Sequence, residues 1–478
     1  MTPAQTMFQP ETAFADLGPE FADAVAPADF PSATLRVRNQ RWAEAVGLGG
    51  LADAEWIKHF ARFEPLQGAQ VHPLAMRYHG HQFQSYNPQI GDGRGFLFAQ
   101  MRDAAGRLLD FGTKGSGQTP YSRFGDGRLT LKGGVREALA TAWLEAHGVY
   151  TSKTFSLIET GEQLSRNDEP SPTRSSVLVR LQHSHVRFGT FQRHAYHQRG
   201  DLLDRLVDHC IACYHTDLLG LEGEPRVAGL VAAVARASAR LCASWMAAGF
   251  VHGVLNTDNM NVTGESFDYG PWRVLPTADA NFTAAYFDHG GLYAYGRQPQ
   301  AVFWNLKQLA GALSLICDAE ALTQAVAVYP QAFAQEQRRL TMRRLGLVSR
   351  SEADDIALLN AMYSFIARSD LSWEGFLHDW FCGQASASRA LNGPRAAAYA
   401  SPDFTDFARL LDAYEPEAPE RLAHPYFAAP EPASLVIGEV EAVWDPIAGA
   451  DDWSAFAAKL AHIETARLAL GLDVGARP

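Results

Sequence analysis

Apolar residues recur at helical spacing through the second half of the chain. This period predicts helices over 201–219, 227–247, 302–325, 331–344, 352–368 and 373–381, and a last helix over about 452–470. Ser351 and Asp354 have the pattern of an N-cap followed by an acidic first turn. Residues 401–450 are rich in Pro and acidic residues, with one strand-like run, Ser434 to Ile437. The pattern predicts a large helical region with an irregular segment near its end.

The first 200 residues follow a different pattern, in which glycine is dense and apolar runs are short. Pro-rich turns dominate residues 1–75. The apolar runs predict a helix from Leu51 to Phe63, hairpin strands over 95–100 and 108–114, a helix over 138–147, and a strand over 177–181 that continues through 189. This half of the chain is therefore expected to build a sheet with glycine-rich turns.

The stretch 251–270 carries the most informative polar residues. Mg²⁺ takes oxygen ligands and needs only one or two carboxylates beside substrate phosphates. Protein kinases hold their metal ions with a catalytic-loop Asn and the Asp of an Asp-Phe-Gly tripeptide. Here Asn259 follows His252 at the kinase spacing, and Asp268-Tyr269-Gly270 differs from that tripeptide by one aromatic residue. Asn259 and Asp268 are the candidate metal ligands.

The kinase pattern lacks its catalytic base in this chain. The position two residues after His252 is Val254, which cannot accept a proton. The nearest carboxylate is Asp258, beside the candidate ligand Asn259. An alternative interpretation is a plain loop whose Asn and Asp residues form turns.

A lysine and a glutamate in the first half fit the same enzyme class. Lys114 ends the second hairpin strand, and Glu137 lies 23 residues later at the start of a helix. Kinases pair such a strand lysine with a helix glutamate so that the lysine points to phosphate. The alternative for Glu137 is a first-turn acid that stabilises the helix N-terminus.

Glycine and arginine are concentrated around this lysine. The tetrapeptide Gly-Asp-Gly-Arg occurs at 91–94 and again at 125–128, in a long loop that is basic within an acidic protein. Glycine turns allow backbone N–H groups to approach phosphates, and arginine binds phosphate oxygens bidentately. Arg180 and Arg187 lie on or near the third strand and either bind phosphate or form structural ion pairs. The loop itself is either a polyphosphate-binding loop or a solvated one.

These features together predict an α+β fold of the bilobal protein-kinase-like class, with a glycine-rich, β-containing N-lobe and an enlarged helical C-lobe. We expect an N-terminal extension over 1–75 that packs on the core, an N-lobe over 76–195, a C-lobe over 196–400 and a C-terminal extension over 401–478.

Composition restricts the partners of the protein. The formal net charge of -12 disfavours nucleic-acid binding. No apolar run approaches 18 residues, so no membrane span is expected. The N-terminus has neither the pattern of a signal peptide nor that of a transit peptide, and the five cysteines are an odd, sparse set. A cytoplasmic protein with reduced thiols is expected.

Long stretches of the chain resemble the selenoprotein O family of kinase-fold proteins. The stretches that carry the resemblance span roughly residues 10–320. They are Tyr78-His79-Gly80-His81-Gln82-Phe83, Ser85-Tyr86-Asn87-Pro88-Gln89, both Gly-Asp-Gly-Arg tetrapeptides, Lys114-Gly115-Ser116-Gly117, Thr119-Pro120-Tyr121-Ser122-Arg123-Phe124, Arg136-Glu137, Ser184-His185-Val186-Arg187, Asn256-Thr257-Asp258-Asn259-Met260 and Phe267-Asp268-Tyr269-Gly270.

The resemblance implies transfer of AMP from ATP to Ser, Thr or Tyr hydroxyls of proteins, possible self-modification included. It also implies that the nucleotide is turned round relative to ordinary kinases. Asp258 would be the base, Asn259 and Asp268 would hold Mg²⁺ or Mn²⁺, and Lys114 would contact phosphate and pair with Glu137. The nucleotide site would further include Gly91, Gly93, Arg94, Asp126, Gly127, Arg180 and Arg187, together with Asp268.

Three alternatives stay open at this stage. They are UMP transfer from UTP with Mn²⁺, a conventional kinase, and a non-catalytic pseudokinase scaffold that binds nucleotide. Many family members carry a selenocysteine or cysteine near the C-terminus, but here no cysteine follows Cys382. A switch based on a C-terminal thiol is therefore not expected.

Overall fold

One antiparallel sheet of nine strands organises the first 190 residues. The structure, a computed structural model, describes residues 7–167 and 169–472. The final residues 473–478, to which the expectation about a C-terminal thiol applies, lie outside the described ranges. The strands are Gln9–Glu11 (β1), Ala22–Ala24 (β2), Thr34–Arg38 (β3), Leu74–Met76 (β4), Gly80–Gln82 (β5), Ser85–Asn87 (β6), Leu97–Arg102 (β7), Leu108–Lys114 (β8), Leu129–Thr130 (β9), Lys153–Leu164 (β10), Thr173–Gln182 (β11), Phe250–Val251 (β12) and Arg273–Val274 (β13).

The strand order is β2-β4-β7-β8-β11-β10-β3, with β1 on β7 and β9 on β11. The predicted hairpin of β7 and β8 is present, and Lys114 pairs with Leu178 of the neighbouring strand β11. Two small ribbons, β5 with β6 and β12 with β13, stand apart from the sheet. β8 thus lies between β7 and β11, and Lys114 at its end is paired with β11.

Helices form nearly all of the remaining regular structure. The α-helices of the described residues are Gln40–Ala45 (α1), Asp53–Phe60 (α2), Leu131–Ala146 (α3), Phe188–Tyr196 (α4), Gly200–Tyr214 (α5), Gly223–Ala248 (α6), Gln298–Leu313 (α7), Ala319–Val326 (α8), Tyr329–Arg344 (α9), Glu352–Ile366 (α10), Trp373–Asp379 (α11), Ala387–Leu391 (α12), Ala396–Tyr399 (α13), Thr405–Leu411 (α14), Ile437–Ala450 (α15) and Ser454–Leu470 (α16). The α+β class is confirmed.

Several predicted elements were wrong in kind or in bounds. The run 302–325 is two helices, because the chain turns after Leu313 and the Asp318 side chain caps α8 by accepting from the N–H groups of Glu320 and Ala321. Ser434 to Ile437 is not a strand, since α15 begins at Ile437. The strand predicted to run on to 189 ends as β11 at Gln182, and α4 begins at Phe188.

The sheet has an apolar layer on each face. On one face, α1 and α2 bury aromatic rings against the strands, and Trp56 donates from Nε1 to Ser156 Oγ at 2.8 Å. On the other face, α3 joins a larger core that continues through α5, α6 and α7. Each fully buried large apolar side chain stabilises such a layer by roughly 1.5–3 kcal/mol. These layers fix β8, β11 and α3, which carry the candidate phosphate-binding residues.

The helix α6 is long and apolar enough to cross a membrane by length and composition alone. This departs from the expectation that no apolar run approaches the length of a span. Its most apolar 18-residue window is 67% buried inside the protein, with neighbours α7, α8 and α9. A buried core helix meets the same two criteria, so they are weak support for a membrane span.

An ion-paired glutamate in the helical part gives a stability prediction. Glu374 is buried beside Arg344 and His147, whose Nε2 lies 3.1 Å from Glu374 Oε1. Burial alone raises the pKa of Glu374, but Arg344 and His147 outweigh it and hold the pKa at about 2, below the usual 4.5. The stabilisation is present above pH 4.5 and is lost as the pH falls towards 2, by about 3 kcal/mol. Urea unfolding midpoints measured across this range are expected to show it.

The matched variant Glu374→Gln keeps the shape of the side chain and removes its charge. Its unfolding midpoint should be lower at pH 7, because a buried guanidinium loses its partner. It should also change less between pH 4.5 and pH 2 than that of the parent. If the unfolding midpoints of the two proteins change in parallel with pH, Glu374 is not the source of the pH-dependent stability.

Candidate nucleotide-binding and catalytic site

A cavity of about 690 Å³ lies where the ends of β8 and β11 meet the loop 251–270. Most of the residues predicted for the site line this cavity. They are Gly91, Gly93, Arg94, Lys114, Asp126, Gly127, Arg180, Arg187, Asp258 and Asp268. Glu137 lies behind Lys114, and Asn259 is not among the lining residues. Residues up to 177 positions apart in the sequence thus share one cavity.

The lysine–glutamate pair predicted from the sequence is present. Lys114 Nζ lies 2.6 Å from Glu137 Oε2 and 2.8 Å from Asp268 Oδ1. Glu137 is 1% exposed, so an unpaired charge there would be costly. It lies on the second turn of α3, which begins at Leu131, seven residues before the predicted start, because Thr130 caps the helix through Gly133 N–H. The interpretation of Glu137 as a first-turn acid is therefore wrong.

Two buried arginines have N–H groups with no acceptor among the described residues. The groups are Nε and NH1 of Arg180 and Nε of Arg187. Arg187 donates from NH1 to the backbone oxygen of Asp258 at 3.0 Å, and its NH2 lies 3.2 Å from Asp92 Oδ1. Unpaired buried donors cost about 1–3 kcal/mol each, so an anion that accepts from them stabilises the site. Phosphate oxygens fit these groups.

Positive charge is in excess around the cavity, although the chain as a whole is acidic. Seven cationic side chains line it against four carboxylates. The cations are Arg94, Lys114, Arg123, Arg128, Arg166, Arg180 and Arg187, and the carboxylates are Asp92, Asp126, Asp258 and Asp268. A polyphosphate is the ligand that this balance favours.

The two Gly-Asp-Gly-Arg turns line the cavity, and each packs closely against another part of the long loop that follows Lys114. A Cβ on Gly91 would lie 2.5 Å from the Tyr121 ring, and one on Gly127, at φ +70°, would lie 2.3 Å from the backbone of Gly117. These glycines are thus required for close loop packing. Asp126 faces outwards and pairs with Arg166 at 2.8 Å, at the rim of the cavity.

Asp258 lies in the centre of a short 3₁₀ turn, Thr257–Asn259, and is 8% exposed. Burial raises the pKa of Asp258 to about 6, against the lowering effect of Arg187. Its Oδ1 has no hydrogen-bond partner among the described residues. Gly80 of β5 leaves room for this carboxylate, since a Cβ there would lie 2.9 Å from Oδ1. Asp258 therefore has the position and the free oxygen of a proton acceptor.

The candidate metal ligands lie on the two loops that follow α6. Asn259 donates from Nδ2 to Val254 O at 3.0 Å, and its Oδ1 makes no hydrogen bond within the described ranges. Asp268, at φ +62°, lies within 4.0 Å of Lys114, Arg180 and Arg187. His252 joins the two loops by donating from Nε2 to Phe267 O. An amide oxygen and a carboxylate beside this cation-lined cavity fit Mg²⁺.

No cluster of three or more His, Cys, Asp or Glu side chains able to hold a metal occurs in the part of the chain that the structure describes. A metal ion at this site would consequently take its remaining ligands from phosphate oxygens and water. Burial raises the pKa of Asp268, but Lys114, Arg180 and Arg187 outweigh it and hold the pKa well below its usual range. Asp268 is therefore ionised and able to bind a cation.

The sequence interpretation missed several residues of the site. Asp92 fixes Arg187, and the Tyr78 ring lies 4.4 Å from the Arg187 guanidinium carbon. Gln82 and Arg166 also line the cavity. Asp92 lies inside the first Gly-Asp-Gly-Arg turn, and Tyr78 and Gln82 lie in another stretch that carries the family resemblance, so each had a usable signal. Arg166 lies in none of these stretches.

Comparison with known proteins identifies the family. The model of the family described as Protein adenylyltransferase SelO matches residues 5–464 of the 478. The chain belongs to this SelO family. It is 45% identical over 480 residues to "Protein nucleotidyltransferase YdiU" of Synechococcus elongatus, covering 94% of each chain. A Synechocystis protein of the same description is 50% identical over 343 residues (71% of each chain), and one from Vibrio cholerae is 35% identical over 378 residues (79% of this chain and 76% of that one).

Membership of the SelO family makes this chain a nucleotidyltransferase. The family resemblance predicted from the sequence is confirmed, and the match extends beyond the expected residues 10–320 to nearly the whole chain. A nucleotide is therefore a substrate of this chain.

Replacing Gly80 tests how closely this SelO-family site depends on the position of Asp258. The added methyl group of Gly80→Ala would press on Asp258 Oδ1 and on Ile90 Cδ1, 3.2 Å away. Displacing a reacting group by about 1 Å costs roughly 100-fold. We expect transfer to fall about 10- to 100-fold with nucleotide affinity unchanged. Gly50→Ala, where a Cβ meets nothing within 4 Å, is the matched control. Transfer rates of Gly80→Ala and Gly50→Ala within twofold of each other would contradict a dependence on the position of Asp258.

Proposed function

We propose that this chain is a protein adenylyltransferase that transfers AMP from ATP to Ser, Thr or Tyr hydroxyls of proteins. The observation that carries the proposal is that one cavity contains both free hydrogen-bond donors and a free carboxylate oxygen. Unpaired donors of Arg180 and Arg187 lie buried in its wall, and the unpaired carboxylate of Asp258 lines it as well. The first feature binds phosphate, and the second accepts a proton.

In the proposed reaction, the acceptor hydroxyl oxygen attacks the α-phosphorus of ATP and its proton passes to an oxygen of Asp258. A bond forms between the acceptor hydroxyl oxygen and the α-phosphorus, and the bond from the α-phosphorus to the bridging oxygen of the β-phosphate breaks. Pyrophosphate leaves with the electron pair of that bond. General-base assistance of this kind contributes typically about 10²–10⁴-fold.

The buried cations orient the nucleotide. Arg180 and Arg187 donate to the β- and γ-phosphates, which places the α-phosphate towards Asp258 and turns the nucleotide round relative to a kinase. Lys114, held by Glu137, donates to a phosphate oxygen and neutralises charge that develops on the leaving pyrophosphate. The other residues proposed to line the nucleotide are Gly91, Gly93, Arg94, Asp126 and Gly127.

Asn259 and Asp268 are the residues that would hold Mg²⁺ or Mn²⁺. When bound, such an ion supplies Lewis-acid stabilisation of the phosphate oxygens. The protein residues around it keep Asp268 ionised and fix the Asn259 amide against Val254 O.

The proposed fold class is that of a bilobal protein kinase. Its support is the Lys114–Glu137 ion pair between a sheet strand and a helix, together with a His252–Asn259 loop after a long helix. The domain boundaries predicted at 75, 195 and 400 belong to this proposal. Residues 9–38 supply β1, β2 and β3 to the same sheet, so this segment is part of the sheet's structure.

Labelled ATP tests the proposed reaction. The chain is incubated with Mg²⁺ and ATP labelled at either the α- or the γ-phosphate, and protein-bound label and intact mass are measured. We expect α-label only, with a mass gain of about 329 Da, the mass of one AMP group. Incorporation of γ-label with about 80 Da would establish a kinase instead. A parallel reaction with UTP and Mn²⁺ tests UMP transfer, and no incorporation with any nucleotide would favour a non-catalytic scaffold.

A further inference from the structure

The hairpin of β5 and β6 has a strained turn beside the catalytic loop. Its strands pair Gly80 with Asn87 and Gln82 with Ser85, so Phe83 and Gln84 are the two turn residues. Both have positive φ, +48° and +62°. Such turns favour Asn-Gly, and a bulky residue such as Phe in this region is a true outlier. Positions of this kind are energetically unfavourable and are often part of a functional site.

The catalytic loop holds this turn in place. Asn256 Oδ1 accepts from Phe83 N–H and from the Tyr293 hydroxyl, both at 3.0 Å. Thr257 Oγ1 accepts from His81 N–H at 2.7 Å. Asn256 and Thr257 directly precede Asp258 in the chain. The hairpin and the proposed base are therefore positioned by the same short segment.

Three exposed aromatic side chains gather at the tip of the hairpin. Phe83 is 37%, Tyr286 81% and Phe287 43% exposed. The ring centroid of Phe287 lies 5.7 Å from that of Phe83 and 5.1 Å from that of Tyr286. The patch is adjacent to the cavity along the chain, since Gln82, which precedes Phe83, lines that cavity with Asp258. Exposed aromatic clusters of this kind mark binding surfaces.

We propose that Phe83, Tyr286 and Phe287 form the acceptor-binding surface, which takes an apolar or aromatic side chain of the protein substrate a few residues from the hydroxyl that receives AMP. This inference rests on the proposed function, since that function requires an acceptor segment to reach Asp258. A segment whose hydroxyl lies at Asp258 passes Gln82 and meets these rings next. An apolar side chain of the substrate at this point gains affinity by burying its surface against the three rings. A polar side chain at the same point would not gain it.

Two pools of nonapeptides test the surface. Each peptide has a central serine; one pool has Leu or Phe at a single flanking position, and the other has Gln there. The purified chain, with Mg²⁺ and ATP, is assayed for peptide carrying AMP by mass spectrometry. We expect the wild type to modify the apolar pool with a kcat/KM about tenfold higher, the ratio that follows from about 1.4 kcal/mol of apolar contact.

The variants Tyr286→Ala and Phe287→Ala should lose this preference and retain the ATP affinity of the wild type. Tyr286 is highly exposed, so replacing it with Ala removes little of the packing that stabilises the fold. Leu468→Ala, which removes a 56% exposed side chain from α16, is the matched control and should keep the preference. Equal use of both pools by the wild type, or an unchanged preference in both variants, would overturn the surface.

A binding arm separates failure of the surface from failure of the proposed reaction. Fluorescein-labelled pools with alanine in place of the central serine are titrated with the protein, and fluorescence anisotropy is read. If no peptide is modified but the apolar pool binds more tightly to the wild type than to Phe287→Ala, the surface stands and the reaction is wrong. If peptides are modified but the two pools bind and react alike, the reaction stands and the surface is wrong.

Discussion

We expect Asp258→Asn to lower the rate of AMP transfer by about 10²–10⁴-fold and to leave ATP binding within about twofold. The amide has nearly the shape of the carboxylate but cannot accept the proton of the attacking hydroxyl. The contacts of Arg187 with the Asp258 backbone and with Asp92 do not involve the side chain that is changed. Single-turnover transfer of α-labelled AMP and an ATP titration measure the two quantities.

The outcome of this variant separates two assignments of the base. Asp370→Asn, an exposed carboxylate in the loop before α11, is the matched control and should transfer AMP at the wild-type rate. If Asp258→Asn also does so, proton removal does not depend on Asp258. If it loses ATP affinity as strongly as it loses rate, Asp258 acts through nucleotide binding.

The second large effect is expected from Asp268→Ala, which should lower transfer by about 10³-fold or more, since loss of a metal contact removes several kcal/mol of stabilisation. The variant also leaves Lys114, Arg180 and Arg187 without a carboxylate that all three now share. We therefore expect ATP binding measured without Mg²⁺ to become tighter, while Mg²⁺ no longer increases it. Calorimetric titrations of ATP with and without Mg²⁺ measure both changes.

Asp370→Ala serves as the control for this substitution and should keep the response to Mg²⁺. A variant at Asp268 that still binds ATP more tightly when Mg²⁺ is added would show that the metal is held elsewhere. Thermal unfolding of each protein checks that the changes do not follow from loss of structure.

Much of the site was readable from local sequence because its residues lie in short, distinctive runs. Lys114 ends a strand, and Glu137 lies on the next helix, so their pairing follows from the hairpin and the crossover. Asn259 and Asp268 are nine residues apart on consecutive loops. The alternative for Arg187, a structural ion pair, has support in its contact with Asp92, while phosphate binding by Arg187 stays a prediction.

Apart from the hairpin of β7 and β8, most of the strand pairing could not be predicted from local sequence. The twelve-residue strand β10 was missed, as were β1, β2 and β3, which pair with strands far along the chain. β10 reads as Lys-Thr-Phe-Ser-Leu-Ile-Glu-Thr and mixes apolar and polar residues with bulges in its register, so its period is broken. Such pairings depend on contacts between distant segments, which no local pattern records.

The last two helices rest on the helix that carries Glu137. α16 and α15 pack against α3, Lys132 pairs with Glu441 at 2.5 Å, and Trp143 donates to Ala433 O. The nucleotide site and the far end of the chain therefore share one structural element. Free energies of binding are reciprocal, so if nucleotide binding makes these helices harder to detach by some factor, detaching them weakens nucleotide binding by the same factor. If that coupling exists, a change that loosens residues 433–470 also weakens nucleotide binding, although these residues are not among those that line the cavity.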